Sequence, residues 1–221
     1  AQATLALQQA SNDRFEAGLG AGWLEVEMNA SGMNYPTAPE RISRYIEALK
    51  IVRSLLATGQ CQFKGKYYQV DISGKNRLGP LSQAPAPLIG SVGGPRGIRE
   101  VSPLVDRVEI KASSRGTREG SMNIPIMATI TESEVRSNID RVKAVTPYKP
   151  LSIFILVSAG NLSTVADIKA MFGNGFLSRF HGPPDEVSAS LESLARFGID
   201  RVQLTEMVPG SQEALAPLLL K

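Results

Sequence analysis

One cysteine, one histidine and one tryptophan in 221 residues exclude several classes of chemistry at the outset. Cys61 alone provides neither an internal disulfide framework nor a thiolate zinc site. Its neighbours Gln60, Gln62 and Phe63 include no base to activate it, so it reads as a small packed residue. His181 has no Cys, His or carboxylate at metal-ligand spacing and no serine elbow to serve. It precedes Gly182-Pro183-Pro184 and reads as a structural residue in a turn that starts a helix, and no metal is expected. No run of about 18 apolar residues occurs, and Ala1 to Leu5 lack the charged and apolar regions of a signal peptide. The expectation is a cytoplasmic protein without a membrane partner. Blocks of one charge sign are missing too. The 24 Lys and Arg and 21 Asp and Glu are interspersed, for a net charge of +3, which does not argue for nucleic acid.

What is present is a 43% hydrophobic, 20% charged chain, long enough to bury roughly 70% of its unfolded surface in one domain, residues 1–221, without staples. Short apolar runs alternate with helical periodicity throughout, the pattern of βαβ units and a parallel sheet. The strand candidates are Phe15 to Gly20, Leu88-Ile89, Arg107 to Ile110, Leu151 to Val157 and Ile199 to Leu204. Helices are expected at Ala3 to Ala10, Pro39 to Leu56, Arg96 to Leu104 with Pro103 stopping it near its end, Thr131 to Val142, Leu162 to Phe172, Asp185 to Phe197 and Gln212 to Leu220. Ile42, Tyr45, Ile46, Leu49, Val52, Leu55 and Leu56 recur at spacings of three and four, and Gly59 closes that helix. Thr131 with Glu134 has capping-box spacing. Cys61 to Ile72 reads as a hairpin turning at Lys64-Gly65-Lys66, and Lys111 to Pro125 as a long polar loop of the kind that is functional or mobile. Five strands, each followed by a helix, fall three short of the eight in a closed barrel of about 250 residues.

Among sites, Gly90-Ser91-Val92-Gly93-Gly94 is a strand running into a glycine loop before a helix, which offers backbone amides to a phosphate. Gly20-Ala21-Gly22-Trp23 ends another strand and leaves room for a flat ring at the same mouth. Trp23 either stacks there or packs, and packing is the commoner role of a large aromatic. Lys111 and Arg115 follow the next strand and are placed to neutralise phosphate or a polyanionic tail, although each alone reads as a solvated loop residue. Glu25 and Glu27 are not assigned as acid or base.

The run from Ser11 to Trp23, then Glu27, Gly32, Tyr35, Pro36, Arg41 and Glu47-Ala48-Leu49, resembles the fourth strand and following segment of luciferase-like monooxygenases and deazaflavin-dependent oxidoreductases. The hairpin Phe63 to Tyr68, Ala86-Pro87-Leu88-Ile89-Gly90, Asp106, and Gly182 to Val187 leading to Gly198-Ile199-Asp200-Arg201-Val202 continue it across nearly the whole chain. The departures are Asp13 in place of the usual Gly, Pro103 in a turn that is usually alanine-rich, a short segment between Val157 and Phe180, and no counterpart of the first three strands. The resemblance implies an incomplete TIM-type (β/α) barrel, strands four to eight. It implies an oxidoreductase of a small organic substrate, by hydride transfer with coenzyme F420 or monooxygenation with FMN. The cofactor's phosphate would lie at Gly90, Ser91, Val92, Gly93 and Gly94, with Gly20, Gly22 and Lys111 completing the cofactor site. The absence of basic residues in Gly20-Ala21-Gly22 leans toward the deazaflavin. A barrel lacking strands also implies a homodimer or a partner chain that completes it. The alternative is a non-catalytic or split member binding a cofactor-like ligand or that partner.

Overall fold

Apolar residues on one face of each short strand and one stripe of each helix dictate the arrangement, seen in a computed structural model that describes residues 1–220. The chain runs α1 (Gln2–Ala10), β1 (Ala17–Leu19), α2 (Glu25–Ala30), α3 (Ala38–Thr58), β2 (Cys61–Lys64), β3 (Gln69–Ile72), β4 (Leu88–Val92), α4 (Pro95–Val101) and β5 (Arg107–Lys111). It continues with α5 (Ile124–Ala128), α6 (Glu132–Val145), β6 (Leu151–Ala159), α7 (Ser163–Met171), β7 (His181–Gly182), α8 (Pro184–Glu192), β8 (Arg201–Glu206) and α9 (Ser211–Leu219). Six strands form one parallel sheet in the order β1-β4-β5-β6-β7, with β8 also paired to β6, while β2 and β3 make a separate antiparallel hairpin.

The ladder continues from strand to strand. Ser91 lies opposite Glu109, Glu109 opposite Ser152, and Ser152 opposite Arg201. Two aspartates that precede strands close the ladder ends: Asp106 Oδ2 accepts from the Leu88 amide at 2.9 Å and Asp200 Oδ2 from the Leu151 amide at 3.0 Å. The face toward the helices is apolar and buried, with Leu88, Val92, Val108, Ile110, Ile153 and Val157 in the core. The opposite face carries Ser91, Arg107, Glu109 and Lys111, half-buried, and Arg201, Gln203 and Thr205, exposed. Parallel sheets normally cover both faces, and closed barrels fill the inner one with branched side chains. Here the inner face is largely polar, with Ile89, Phe154 and Leu156 as its apolar members. Glu16, just before β1, accepts from Arg201 Nη2 at 3.3 Å, so the sheet curls until residues at its two edges touch.

Helix termini follow the sequence signals. Thr131 Oγ1 accepts from the Glu134 amide at 3.2 Å, and Gly59 ends α3 at φ 71°. Three expectations are corrected. The fifteen-residue loop after β5 contains a 3-10 turn at Ser114–Thr117 and the short helix α5, where Asn123 caps the Ile126 amide. The helix after β4 stops at Val101 and tightens into a 3-10 turn, Ser102–Leu104, because Pro103 can start such a turn but cannot continue an α-helix. His181 does not sit in a turn: with Gly182 it forms a sixth strand, too short to show any periodicity, paired to Ser158 and Ala159. It is nonetheless structural, 1% exposed, stacked on Phe172 at 4.5 Å and bonded through Nδ1 to Ser158 at 3.1 Å. No helix is long and apolar enough to cross a membrane among the described residues.

Candidate cofactor site

In parallel strands the C-terminal ends gather at one mouth, and the segments that leave them build the site. The ends of β1, β4 and β5 and a polar stripe of α6 border an open cavity of about 580 Å³. Its floor is Gly20 to Trp23 and Ser91 to Gly94, and its walls include Lys111, the loop Ser114 to Arg118, and the α6 residues Glu134, Ser137, Asn138 and Arg141. Seven of the eight residues proposed from sequence, Gly20, Gly22, Ser91, Val92, Gly93, Gly94 and Lys111, therefore line one space. Gly90 does not. A Cβ there would stand 2.6 Å from Val105 Cγ1, so its place beneath the helices is a packing requirement.

The other glycines divide in the same way. A Cβ on Gly93 would lie 2.2 Å from Ser114 Cβ, and Ser114 Oγ donates to the Gly93 carbonyl at 2.8 Å. The loops after β4 and β5 are clasped at that point. Around Gly20 and Gly94 nothing lies within 4 Å, so their missing side chains leave cavity space. Gly94 is also the residue before α4, whose first-turn amides at Arg96 and Gly97 have no acceptor within the helix.

The rim is held by buried polar ties. Tyr45 Oη donates to the Leu19 carbonyl at 2.6 Å and Tyr35 Oη to the Trp23 carbonyl at 2.9 Å. Burial pushes both phenols' ionisation up. Arg41, 7% exposed, donates to the Pro36 and Arg118 carbonyls at 2.7 and 3.0 Å and lies 4.2 Å over the Tyr35 ring. Its charge is spent on carbonyls, not neutralised by a carboxylate.

Lys111 is more than a solvated loop residue. Its Nζ sits 4.7 Å over the Trp23 ring, and burial pulls the amine's pKa down against the opposing pull of Glu109. Trp23 in turn faces the cavity, contrary to the packing role expected of it. Burial likewise pushes the Glu109 carboxyl up, opposed by Lys111 and by Ser91 beside it.

Sequence reading picked out Lys111 and Arg115 but missed the rest of the charge. Arg41, Arg96, Lys111, Arg115, Arg118 and Arg141 line the cavity, and Glu134 is the single carboxylate in its wall. Glu134 is engaged by Arg115 at 3.2 Å, and Arg96 by Glu100 at 3.3 Å, from outside the cavity. Among the described residues, Lys111, Arg118 and Arg141 have no carboxylate within 4.0 Å. A signal did exist: Glu134, Ser137, Asn138 and Arg141 fall at spacings of three and four, a polar stripe beside the apolar one of Val135, Ile139 and Val142.

The model of the luciferase-like monooxygenase family matches residues 1–119, more than half of the 221. The chain belongs to the luciferase-like monooxygenase family. Within it, the F420-dependent glucose-6-phosphate dehydrogenase of Amycolatopsis mediterranei is 34% identical over 96 residues, which are 43% of this chain and 28% of that protein. The match thus spans little more than a quarter of that relative's length. An F420-dependent secondary alcohol dehydrogenase, solved with an F420-acetone adduct, superposes with a TM-score of 0.65 at 20% identity over 97% of this chain and 70% of its own. An EDTA monooxygenase from Chelativorans sp. BNC1 does so at 0.64 and 12% identity, over 99% and 70%. The coenzyme F420-dependent tetrahydromethanopterin reductase from Methanopyrus kandleri gives 0.59 at 14%, over 96% and 74%. At such identities these likenesses establish the fold of the family, a (β/α) barrel of which the described strands form a part.

Proposed function

We propose that the cavity binds a phosphorylated flavin or deazaflavin, FMN or coenzyme F420, and that the chain serves an oxidoreductase of a small organic substrate. The observation that carries this is the excess of cations around a space floored by glycine: six basic side chains against one carboxylate. Both cofactors combine a flat three-ring system, a ribityl chain and a phosphate. Gly20 and Gly94 leave room for the first two, Lys111 over Trp23 supplies charge beside the ring, and Ser91, Val92, Gly93 and Gly94 present backbone and hydroxyl to the phosphate. When bound, such a group carries the electrons of the reaction. The chain's own share is to hold it, keep water from the ring, and place Lys111 and Glu109 as the half-buried titratable pair nearest the strand ends.

A second reading has its own support. Among the described residues β1 pairs only with β4, and β8 only with β6, so both edges of the sheet are open and its inner face is largely polar. Residues 1–221 would then be one barrel piece whose remaining wall comes from a partner chain or a second copy.

The test is titration of F420 and of FMN against the fluorescence of Trp23, the sole tryptophan, with calorimetry as a second readout. Saturable quenching is expected, weakened at least tenfold by Gly94→Val. A folded chain that binds neither compound would overturn the cofactor reading and leave the partner reading standing.

A further inference from the structure

The cavity that the glycines line is also lined by two cations from other elements. Arg118, in the loop after β5, and Arg141, on the polar stripe of α6, both line the same space, and Ser137 and Asn138 line it with them. Neither guanidinium has a carboxylate within 4.0 Å among the described residues, whereas Arg115 and Arg96 each have one. Arg41, the most buried of the group, is held by carbonyls and fixes the Arg118 backbone through its carbonyl oxygen at 3.0 Å. The loop carrying Arg118 is therefore anchored while its side chain remains uncommitted. A single phosphate at the glycine loop is matched by the backbone and the Ser91 hydroxyl there, with Lys111 engaged over the Trp23 ring. It leaves Arg118 and Arg141 over.

We propose that Arg118 and Arg141, with Ser137 and Asn138, form a tail subsite that takes a carboxylate chain extending past the cofactor's phosphate. This rests on the cofactor reading above and narrows it. FMN ends at its phosphate, while F420 continues through a lactyl group into linked glutamates, each with a free carboxylate. The planar guanidinium fork is suited to carboxylate geometry. Two such groups on different elements, one on a pinned loop and one on a helix face, grip a flexible chain at two points.

Three ligands separate the possibilities: F420 with several glutamates, its form without glutamate, and FMN. Their binding is followed by fluorescence anisotropy at low and high salt, with inorganic phosphate as a competitor. The glutamate-bearing form is expected to bind about tenfold more tightly than the tail-less form at low salt. Arg118→Gln with Arg141→Gln removes that preference, so that the glutamate-bearing form loses about tenfold more affinity than the tail-less form and FMN do, and raising the salt shrinks the same difference through screening. Circular dichroism verifies that the double variant is folded. If the double variant keeps the full preference for the tail, the subsite is wrong and the cofactor reading survives. If inorganic phosphate displaces the tail advantage while leaving the tail-less form bound, the two arginines form a phosphate site for another ligand and the tail assignment fails. If the folded wild-type chain binds none of the three, both readings fail.

Discussion

His181 is held neutral inside the protein, and that has a measurable cost at acid pH. Burial, with Lys169 as a smaller contributor, lowers its pKa from 6.5 to about 4. Above pH 6.5 the imidazole is neutral folded or unfolded and pH does not matter. As pH falls from 6.5 toward 4, the unfolded chain takes up a proton that the folded chain refuses, so stability falls by up to roughly 3 kcal/mol. His181→Gln is expected to flatten that part of the pH-stability curve measured by urea unfolding. Identical slopes in the two proteins would show that the ring is not kept neutral. Asp13 illustrates another residue-scale constraint. It stands in a position where the family resemblance calls for Gly, and its φ of 58° is in the left-handed region that glycine occupies without strain. Asp tolerates that conformation better than most residues, which is how the departure is accommodated. Asp13→Gly should be neutral or stabilising by up to about 1 kcal/mol, and a clear drop in melting temperature would contradict the strain argument. Gly93 and Gly94 look alike in sequence yet should respond differently. Gly93→Ala pushes into Ser114 and should cost about 1–3 kcal/mol of stability, while Gly94→Ala faces open space and should leave stability unchanged.

At the scale of elements, the parts legible in the sequence were those with a period or a cap. α3 was marked by seven apolar positions and Gly59, α6 by Thr131 and Glu134, and β6 by the apolar run Ile153 to Val157. What escaped had no readable period: β7 is two residues long, α2 buries none of its side chains, and α5 is about a turn and a half, capped by Asn123 and with Pro125 in its first turn. The site divides along the same line. Its glycines are contiguous in sequence and were readable, but its arginines come from α3, α4, the β5 loop and α6, and only folding brings them to one wall. The hairpin β2–β3 offers a test of how elements are tied together. It has its own small cluster, Cys61 with Ile51 and Leu55 of α3. The Glu47 carboxylate accepts from the amides of Lys66, Tyr67 and Tyr68 at 2.8 to 3.0 Å, and against the upward push of desolvation these three bonds pull its pKa down. Among the described residues no other side chain caps that turn. Glu47→Ala is expected to leave the main sheet intact and to open the turn, so that trypsin cuts at Lys64 or Lys66 at least several-fold faster. An unchanged rate would mean that the apolar cluster alone holds the hairpin.

For the molecule as a whole, the largely polar inner face and the two open edges pose one question of balance. An exposed parallel edge presents unpaired amides and carbonyls and tends to acquire a strand. Glu16 and Arg201 draw the edges together, but the pair is 33% and 45% exposed at its side chains, and pairs of that kind contribute at most about 1 kcal/mol. It cannot substitute for strand pairing along β1 and β8. The inner face also carries Arg107, Glu109, Lys111, Gln203 and Thr205 where a closed barrel has branched apolar side chains, so the surface that covers it has to be polar or wet. Both features lead to the same expectation: at micromolar concentration the chain associates, with itself or with a complementary chain, through the β1 and β8 edges. Light scattering should give a mass above that of one chain, and Gly18→Pro, which removes the β1 amide that points away from β4, should lower it. A monodisperse monomer of 23.7 kDa with full helix and strand signal would show instead that the curled sheet is satisfied by water and by Glu16–Arg201.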